Sequence, residues 1–183
     1  MNILPTPLPG LHEIRHTPTG DARGRFTRLY CEQELAPIRA GLHFTQINLS
    51  ETRGRGTLRG MHYQTPPAAE AKLIRCLRGR VFDVAVDLRA GSPTFLRWHA
   101  IELAEDNDCA VFIPEGFAHG FQCLTDEAHL LYMHTDPWTP ACEAGLRFDD
   151  PRLAIHWPLP ANNLSARDQG YALLDAGFVG MRA

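Results

Sequence analysis

Proline and glycine interrupt this chain at short intervals, and their spacing constrains the fold more than any other feature of the sequence. Fourteen prolines and fifteen glycines are spread over 183 residues, with short apolar runs between them. Because these two residues break helices and form turns, the pattern is typical of a domain built from short β-strands. We expect an all-β fold and, from the length, a single domain covering residues 1–183.

The clearest strand lies in the segment RVFDVAVDLR, residues 80–89. Apolar residues from Phe82 to Leu88 alternate with Asp83 and Asp87, which is the period of a strand. Residues 56–64 also resemble a strand, and the same pattern predicts strands at 43–50, 72–78, 95–103, 109–113, 119–124 and 128–135. Short helices are expected within 31–41 and 165–177. Seven or eight strands with hairpin spacing predict a sandwich or a jelly-roll barrel, which can hold a ligand in its mouth.

Charge and composition exclude several classes of function. A formal net charge of −3 argues against a general nucleic-acid or anionic-membrane binder. The segment MNILPTPLPG does not resemble a signal peptide, and no apolar run is long enough to span a bilayer. Five scattered cysteines without a C-x-x-C motif suggest reduced thiols in a cytoplasmic protein.

The segment GTLRGMHYQ, residues 56–64, places Arg59 and His62 in a predicted strand. Their opposite parity would point them to opposite faces of a flat strand, but Gly60 between them could introduce a bulge that brings both to one face. An imidazole beside a guanidinium suits an anionic, sugar-like substrate. The alternative is a structural histidine that only satisfies a hydrogen bond.

Four other polar residues are candidates for a site. Gln46 and Asn48 share one face of a strand, where their carboxamides suit hydroxyl and carbonyl groups, or they form the solvated face of an edge strand. Tyr132 is either buried with a bonded hydroxyl or part of the site. Asp168 follows Ser165 by three residues, as in a helix capping box, although one carboxylate oxygen could still face a histidine.

A metal site receives little support from the sequence. His119, in PEGFAHGF, offers a second imidazole at a barrel rim or in a turn between strands. The nine histidines include no H-x-H pair, whereas a cupin-type metal site needs clustered ligands. We therefore expect no metal.

Eight segments carry a resemblance to one family. They are RGRF (23–26), QINLSET (46–52), GTLRGMHYQ (56–64), AKLIRCLRGRVFDVAVDLRAGSPTF (71–95), IPEGFAHGF (113–121), LYMHTD (131–136), GLRFDDP (145–151) and LSARD (164–168). Together they resemble dTDP-4-dehydrorhamnose 3,5-epimerase and its relatives over nearly the whole chain. The resemblance implies a cupin-like jelly roll with a few short, chiefly C-terminal helices, a homodimer, and epimerisation of a nucleotide-linked 4-keto-6-deoxy sugar at C3 and/or C5, without a metal or other cofactor.

The same resemblance implies roles for individual residues. His62 matches the general base, Asp168 its carboxylate partner and Tyr132 the general acid. The positive charges of Lys72 and Arg59 would serve the keto oxygen and the diphosphate. Substrate-binding positions are matched by Gln46, Asn48 and His119, and an arm that reaches into the neighbouring subunit's site is matched by Arg23 and Phe26.

The sequence departs from the family pattern at two informative positions. Arg28 stands where the family usually has Glu in R-G-x-F-x-E, which puts recognition of thymine in question. Trp138, in TDPWTP, replaces a tyrosine close to the sugar. Three alternatives to epimerisation stay open: a 3,4-ketoisomerase on the same fold, a metal-binding cupin, and a non-catalytic protein that binds sugar nucleotides.

Overall fold

The computed structural model describes residues 1–182, which form thirteen strands, two short α-helices and one 3-10 helix. The helices are α1 (Glu32–Leu35), α2 (Ala166–Gly170) and the 3-10 helix Pro140–Cys142. In chain order the strands are β1 (Asn2–Pro5), β2 (His12–Arg15), β3 (Thr19–Asp21), β4 (Gly24–Phe26), β5 (Gln46–Arg53), β6 (Leu58–Gln64), β7 (Lys72–Arg78), β8 (Arg80–Asp87), β9 (Trp98–Ala104), β10 (Cys109–Ile113), β11 (Phe117–Cys123), β12 (Glu127–His134) and β13 (Glu143–Gly145).

Two antiparallel sheets form the body of the fold. The first has the order β1-β2-β10-β7-β12-β5, and the second has the order β13-β6-β11-β8-β9. A separate hairpin of β3 and β4 belongs to neither sheet. This arrangement confirms the predicted all-β jelly roll. The bounds predicted for β7 and β10 agree with the structure, whereas the short strands β1 to β4 and β13 escaped the sequence patterns.

The core consists of three apolar layers, because most strands bury both faces. Ile74, Val81 and Phe121 belong to the layer between the two sheets. The outer face of the first sheet packs against the segment containing α1, and the outer face of the second sheet packs against the C-terminal segment. Burial on both sides explains the continuous apolar run of β10, whose five residues are all buried.

Helix α1 is shorter than the sequence suggests. It ends at Leu35 rather than near Gly41, because Pro37 lacks the N–H that would continue the helix. No helix in the described part of the chain is long and apolar enough to cross a membrane.

The turn after β8 is organised by the buried carboxylate of Asp87. It accepts hydrogen bonds from Arg89 Nη2 at 2.7 Å, Ser92 Oγ at 2.6 Å and Thr94 Oγ1 at 2.7 Å. Burial alone would raise the pKa of Asp87, but these donors lower it to about 2. The turn formed by residues 89–95 therefore depends on an ionised carboxylate.

Candidate active site

One cavity of about 280 Å³ is lined by residues from both sheets. This volume is near the lower end of the range for small-molecule sites, about 300 Å³ and above. The cavity brings together seven of the predicted site residues: Asn48, Arg59, His62, Lys72, His119, Tyr132 and Trp138.

His62 and Asp168 form a hydrogen-bonded pair at this cavity. His62 Nε2 lies 2.8 Å from Asp168 Oδ1, and the backbone N–H of Gly60 donates to the other carboxylate oxygen at 3.3 Å. Ser165 caps α2 by accepting from the backbone N–H of Asp168 at 3.0 Å, so the cap uses the backbone and leaves the carboxylate to His62. Burial would raise the pKa of Asp168, but the hydrogen bond and charge of His62 outweigh it and lower that pKa.

The contact with Asp168 assigns the two nitrogens of the His62 ring. A carboxylate only accepts, so Nε2 carries the hydrogen and Nδ1 is free to take a proton. Arg167 Nη2 also lies 3.3 Å from Nε2, but a guanidinium only donates and cannot bond a nitrogen that is itself donating. His62 is thereby prepared to act as a base through Nδ1.

A bulge in β6 brings Arg59 and His62 to the same cavity. His62 pairs with His119 of β11, whereas Arg59 pairs with Phe121, so three steps along β6 match two along β11. Gly60 permits this irregularity: its φ is +137°, and a Cβ there would lie 2.5 Å from Gly120 Cα. The bulge predicted from Gly60 is confirmed. The Arg59 side chain is held by Thr52, whose Oγ1 accepts from Nε at 3.0 Å.

The wall facing His62 comes from the other sheet. Lys72 on β7 and Tyr132 on β12 line the same cavity and belong to the six-stranded sheet, whereas His62 belongs to the five-stranded sheet. Lys72 Nζ reaches across to the backbone carbonyl of His62 at 3.5 Å. Burial, followed by the charge of Asp83, raises the pKa of Tyr132 well above its usual value, so its phenol stays protonated at neutral pH.

His119 lies inside the barrel and not at its rim. It is part of β11, is only 5% exposed, and places Nε2 2.8 Å from Asp83 Oδ2. Burial lowers the pKa of His119 despite the carboxylate beside it. A neutral imidazole at this position can offer one nitrogen to a ligand while the other is held by Asp83.

Gln46 lines a second, adjoining pocket instead of the cavity that contains His62. Asn48, Glu70, His134 and Trp138 line both cavities. Gln46 Oε1 accepts from the backbone N–H of Trp138 at 3.0 Å, which fixes the segment after β12 against β5. Gln46 and Asn48 share a face, as their spacing predicts.

Sequence reasoning did not assign five charged or titratable residues that line the cavity to the site: Tyr63, Glu70, His134, Glu143 and Arg167. Arg167 is adjacent to Asp168 in the chain, and its Nη1 donates to Glu143 Oε1 at 2.8 Å. Glu70 could have been noticed because it precedes Lys72 by two residues, the spacing of side chains on one face of an extended segment.

Arg23, Phe26 and Arg28 lie away from the cavity. Arg23 pairs with Asp21 in the β3–β4 hairpin, and Phe26 is 74% exposed. Arg28 Nη1 donates to Glu34 Oε1 at 2.5 Å. Within one chain, the structure therefore does not join these three predicted residues to the rest of the site.

Metal ligands are not clustered in the part of the chain that the structure describes: residues 1–182 contain no group of three His, Cys, Asp or Glu side chains that could hold an ion.

A two-sheet barrel whose cavity combines a histidine–aspartate pair, a phenol and an ammonium defines a cupin-like protein with an acid–base site. The family model for dTDP-4-dehydrorhamnose 3,5-epimerase matches residues 5–176. A relative from Shigella flexneri with that name is 38% identical over 97% of this chain and 99% of its own. The chain belongs to the dTDP-4-dehydrorhamnose 3,5-epimerase family and is an epimerase of the isomerase class, which confirms the resemblance seen in its motifs.

Two further relatives show the range of the family. A protein from Streptomyces niveus named dTDP-4-dehydrorhamnose 3-epimerase is 41% identical over 98% of this chain and 88% of its own. The crystal structure of the Legionella pneumophila epimerase RmlC in complex with dTDP-4-keto-L-rhamnose is 37% identical, with a TM-score of 0.92 over 100% of this chain and 98% of that one.

Proposed function

We propose that this protein inverts C3, C5 or both in a dTDP-linked 4-keto-6-deoxy sugar during deoxysugar biosynthesis. The observation that carries the proposal is the placement of His62 with Asp168 on one side of a cavity and of Tyr132 with Lys72 on the other sheet. The Legionella relative supports the substrate class, since it was crystallised with a dTDP-linked 4-keto sugar.

His62 is the proposed general base. A proton next to a ketone is acidic because its removal gives an enolate, and imidazole is a suitable base near neutral pH. Asp168 holds Nε2–H and leaves Nδ1 to accept the proton, and its negative charge stabilises the imidazolium that results.

Lys72 is the proposed partner of the enolate oxygen. Its side chain is only 9% exposed, so the ammonium acts in a site largely shielded from water, where a fixed charge stabilises a developing anion most strongly. Its contact with the carbonyl of His62 keeps the cation close to the base without neutralising either group.

Tyr132 is the proposed general acid. Inversion requires that the new proton arrive on the face opposite to the one from which His62 removed the old proton. Tyr132 lies on the opposite sheet, and its raised pKa keeps the proton on the phenol until the enolate, a stronger base than an ordinary carboxylate, takes it.

The sugar alone is proposed to occupy the main cavity. The cavity volume of about 280 Å³ is small for a complete nucleotide sugar, so the nucleotide extends outside the cavity. Arg59 is suited to the diphosphate because guanidinium groups bind phosphate through paired hydrogen bonds. Asn48, His119 and Trp138 would contact the hydroxyl groups and faces of the sugar ring, and Gln46 would contact the part of the substrate that enters the adjoining pocket.

The nucleotide is proposed to be held by the arm of a neighbouring subunit in a homodimer. Arg23 and Phe26 stand on an exposed hairpin, as an arm of this kind requires. Ile47 and Leu49, on the edge strand β5, are 63% and 55% exposed, which suits a surface that a second copy covers. Arg28, tied to Glu34 on the same segment, would alter contacts with the base.

A cytoplasmic location is proposed because all five cysteines are free thiols in the structure, as expected in a reducing compartment.

The test is incubation with dTDP-4-keto-6-deoxyglucose in heavy water, followed by NMR of the product. We expect deuterium at C3, C5 or both, with inversion at each labelled carbon. A product with its carbonyl moved to C3 would instead identify a 3,4-ketoisomerase. The absence of exchange with every nucleotide 4-keto sugar tried would overturn the proposal.

A further inference from the structure

A second carboxylate–imidazole pair, Glu70 and His134, lies beside Lys72 in the wall of the cavity. Glu70 Oε1 is 3.2 Å from Lys72 Nζ, and Glu70 Oε2 is 2.7 Å from His134 Nδ1. The side chains of Glu70 and His134 are 8% and 12% exposed, so both contacts are shielded from water. We propose that Glu70, oriented by His134, is a positioning residue that fixes the Lys72 ammonium for the enolate oxygen, an inference that rests on the proposed function.

The first step of the argument concerns how an ammonium is held. A lysine side chain is long and flexible, and its point charge has no preferred plane. The described residues place two oxygens beside Lys72 Nζ: a carboxylate oxygen of Glu70 at 3.2 Å and the His62 carbonyl at 3.5 Å. Since an ammonium has three N–H donors, these two contacts leave one donor for an oxygen in the cavity.

The second step concerns the charge of Glu70. Burial would raise the pKa of Glu70, but the hydrogen bond from His134 and the charge of Lys72 lower it below its usual value. Glu70 is therefore an ionised acceptor, and one carboxylate oxygen serves each partner.

The third step connects this pair to the proposed acid. His134 and Lys72 are directly opposite each other on β12 and β7. The His134 ring also stacks on Tyr132, with a centroid distance of 5.8 Å and an interplanar angle of 14°. Glu70 thus contacts the ammonium and His134 contacts the phenol ring, and neither has a place in the proton transfers proposed above.

The sequence offers an unusually clean way to observe Lys72. The chain has eighteen Lys and Arg residues, and Lys72 is its one lysine. Incorporation of ε-¹³C-lysine therefore gives a single ε-methylene signal, whose order parameter reports how firmly the ammonium is held.

The test compares wild type with Glu70→Gln, an isosteric change that removes the charge. We expect kcat to fall about tenfold while KM changes less than about twofold, because the cation is misplaced in the transition state more than in substrate binding. The order parameter of the Lys72 ε-methylene should fall in the same variant. Glu51→Gln is the matched control, since Glu51 is exposed on β5 of the same sheet and should leave both readouts unchanged.

A second variant, His134→Phe, keeps an aromatic ring against Tyr132 but removes the hydrogen bond to Glu70. It should lower the same order parameter, and combining it with Glu70→Gln should add little further loss, as expected for residues that act through one contact.

The outcomes separate this inference from the proposed function. The positioning role would be overturned if the order parameter of the Lys72 ε-methylene were the same in Glu70→Gln as in wild type. It would also be overturned if kcat of Glu70→Gln equalled that of wild type. Absence of exchange in wild type would overturn the proposed function itself, and the lysine signal would still show whether Glu70 holds Lys72.

Discussion

His62 Nε2 and Asp168 Oδ1 lie 2.8 Å apart although 106 residues separate them in the chain. The imidazole comes from β6 and the carboxylate from α2, so the pair forms only when the C-terminal segment packs onto the five-stranded sheet. Asp168 is 2% exposed, and its second oxygen is held by Gly60 N–H. The imidazole of His62 is consequently oriented by a carboxylate that is itself fixed.

Asp168→Asn tests this orientation. An amide can donate to Nε2 and thereby favour the tautomer whose Nδ1 carries the hydrogen, so the base loses its free nitrogen. We expect kcat to fall by about 10³-fold or more, by analogy with other histidine–aspartate pairs, while binding of dTDP measured by calorimetry is retained. Asp149→Asn, at an exposed ion pair with Arg147, is the control. Activity close to that of wild type in Asp168→Asn would show that the carboxylate does not set the tautomer.

Gly60→Ala tests the bulge in β6. Its Cβ would meet Gly120 Cα at 2.5 Å in addition to the unfavourable φ of +137°. We expect the free energy of unfolding in urea to fall by about 2–4 kcal/mol. Gly24→Ala is a matched control, because Gly24 has a φ of +138° with nothing within 4 Å of its added Cβ, and it should cost about 1 kcal/mol. If both variants lost the same free energy of unfolding, the close approach of Gly60 to Gly120 would not be the reason for glycine at position 60.

Asp87→Asn tests the turn after β8. The pKa of Asp87 is about 2 in the folded protein and 3.8 in the reference state, so the folded state prefers the ionised form. This contribution is complete above the unfolded pKa and is lost as pH falls through the folded pKa. We expect the stability difference between wild type and variant to shrink by about 2 kcal/mol as pH is lowered from about 5 to about 2.

The pH series of unfolding free energies has a simple control in Asp106→Asn. The Asp106 side chain is 68% exposed, so in Asp106→Asn the free energy of unfolding should fall between about pH 5 and about pH 2 as it does in wild type. A pH-independent difference for Asp87→Asn would contradict an ionised carboxylate in the turn.

Complementation tests the proposed arm. If each site uses its own His62 and the partner's Arg23, mixed dimers of His62→Asn and Arg23→Ala subunits contain one complete site. Co-refolding inactive variants at equal amounts should recover about a quarter of wild-type activity, because about half of the dimers are mixed and each has one working site of two. Recovery no greater than the sum of the separate variants would place Arg23 outside the partner's site.

The strand pattern was predictable where alternation or apolar runs are long. The predicted bounds of β7 and β10 agree with the structure, and in β10 the burial of both faces leaves a continuous apolar run. The strands β3 and β13 have only three residues each, which is too short for a period to be recognised. Their existence depends on pairing partners that only the folded chain provides.

The site was predictable where a single residue, such as a glycine within a strand, indicates the local backbone conformation. Gly60 indicated that β6 could turn Arg59 and His62 to one face, and the bulge does so. The contact of Glu70 with His134 could not be foreseen, since the carboxylate precedes β7 and the imidazole ends β12. Cross-strand register decides that meeting, and register is set by the whole sheet.

The most direct test of the central claim, that base and acid face each other across the sugar, is deuterium exchange by Tyr132→Phe and His62→Asn in heavy water. Tyr132→Phe should still exchange the proton next to the ketone, because His62 can return a solvent deuteron to the same face, but it should lose inversion. His62→Asn should lose exchange altogether while it retains binding of dTDP. Exchange that survives in His62→Asn and disappears in Tyr132→Phe would contradict the assignment of the two roles.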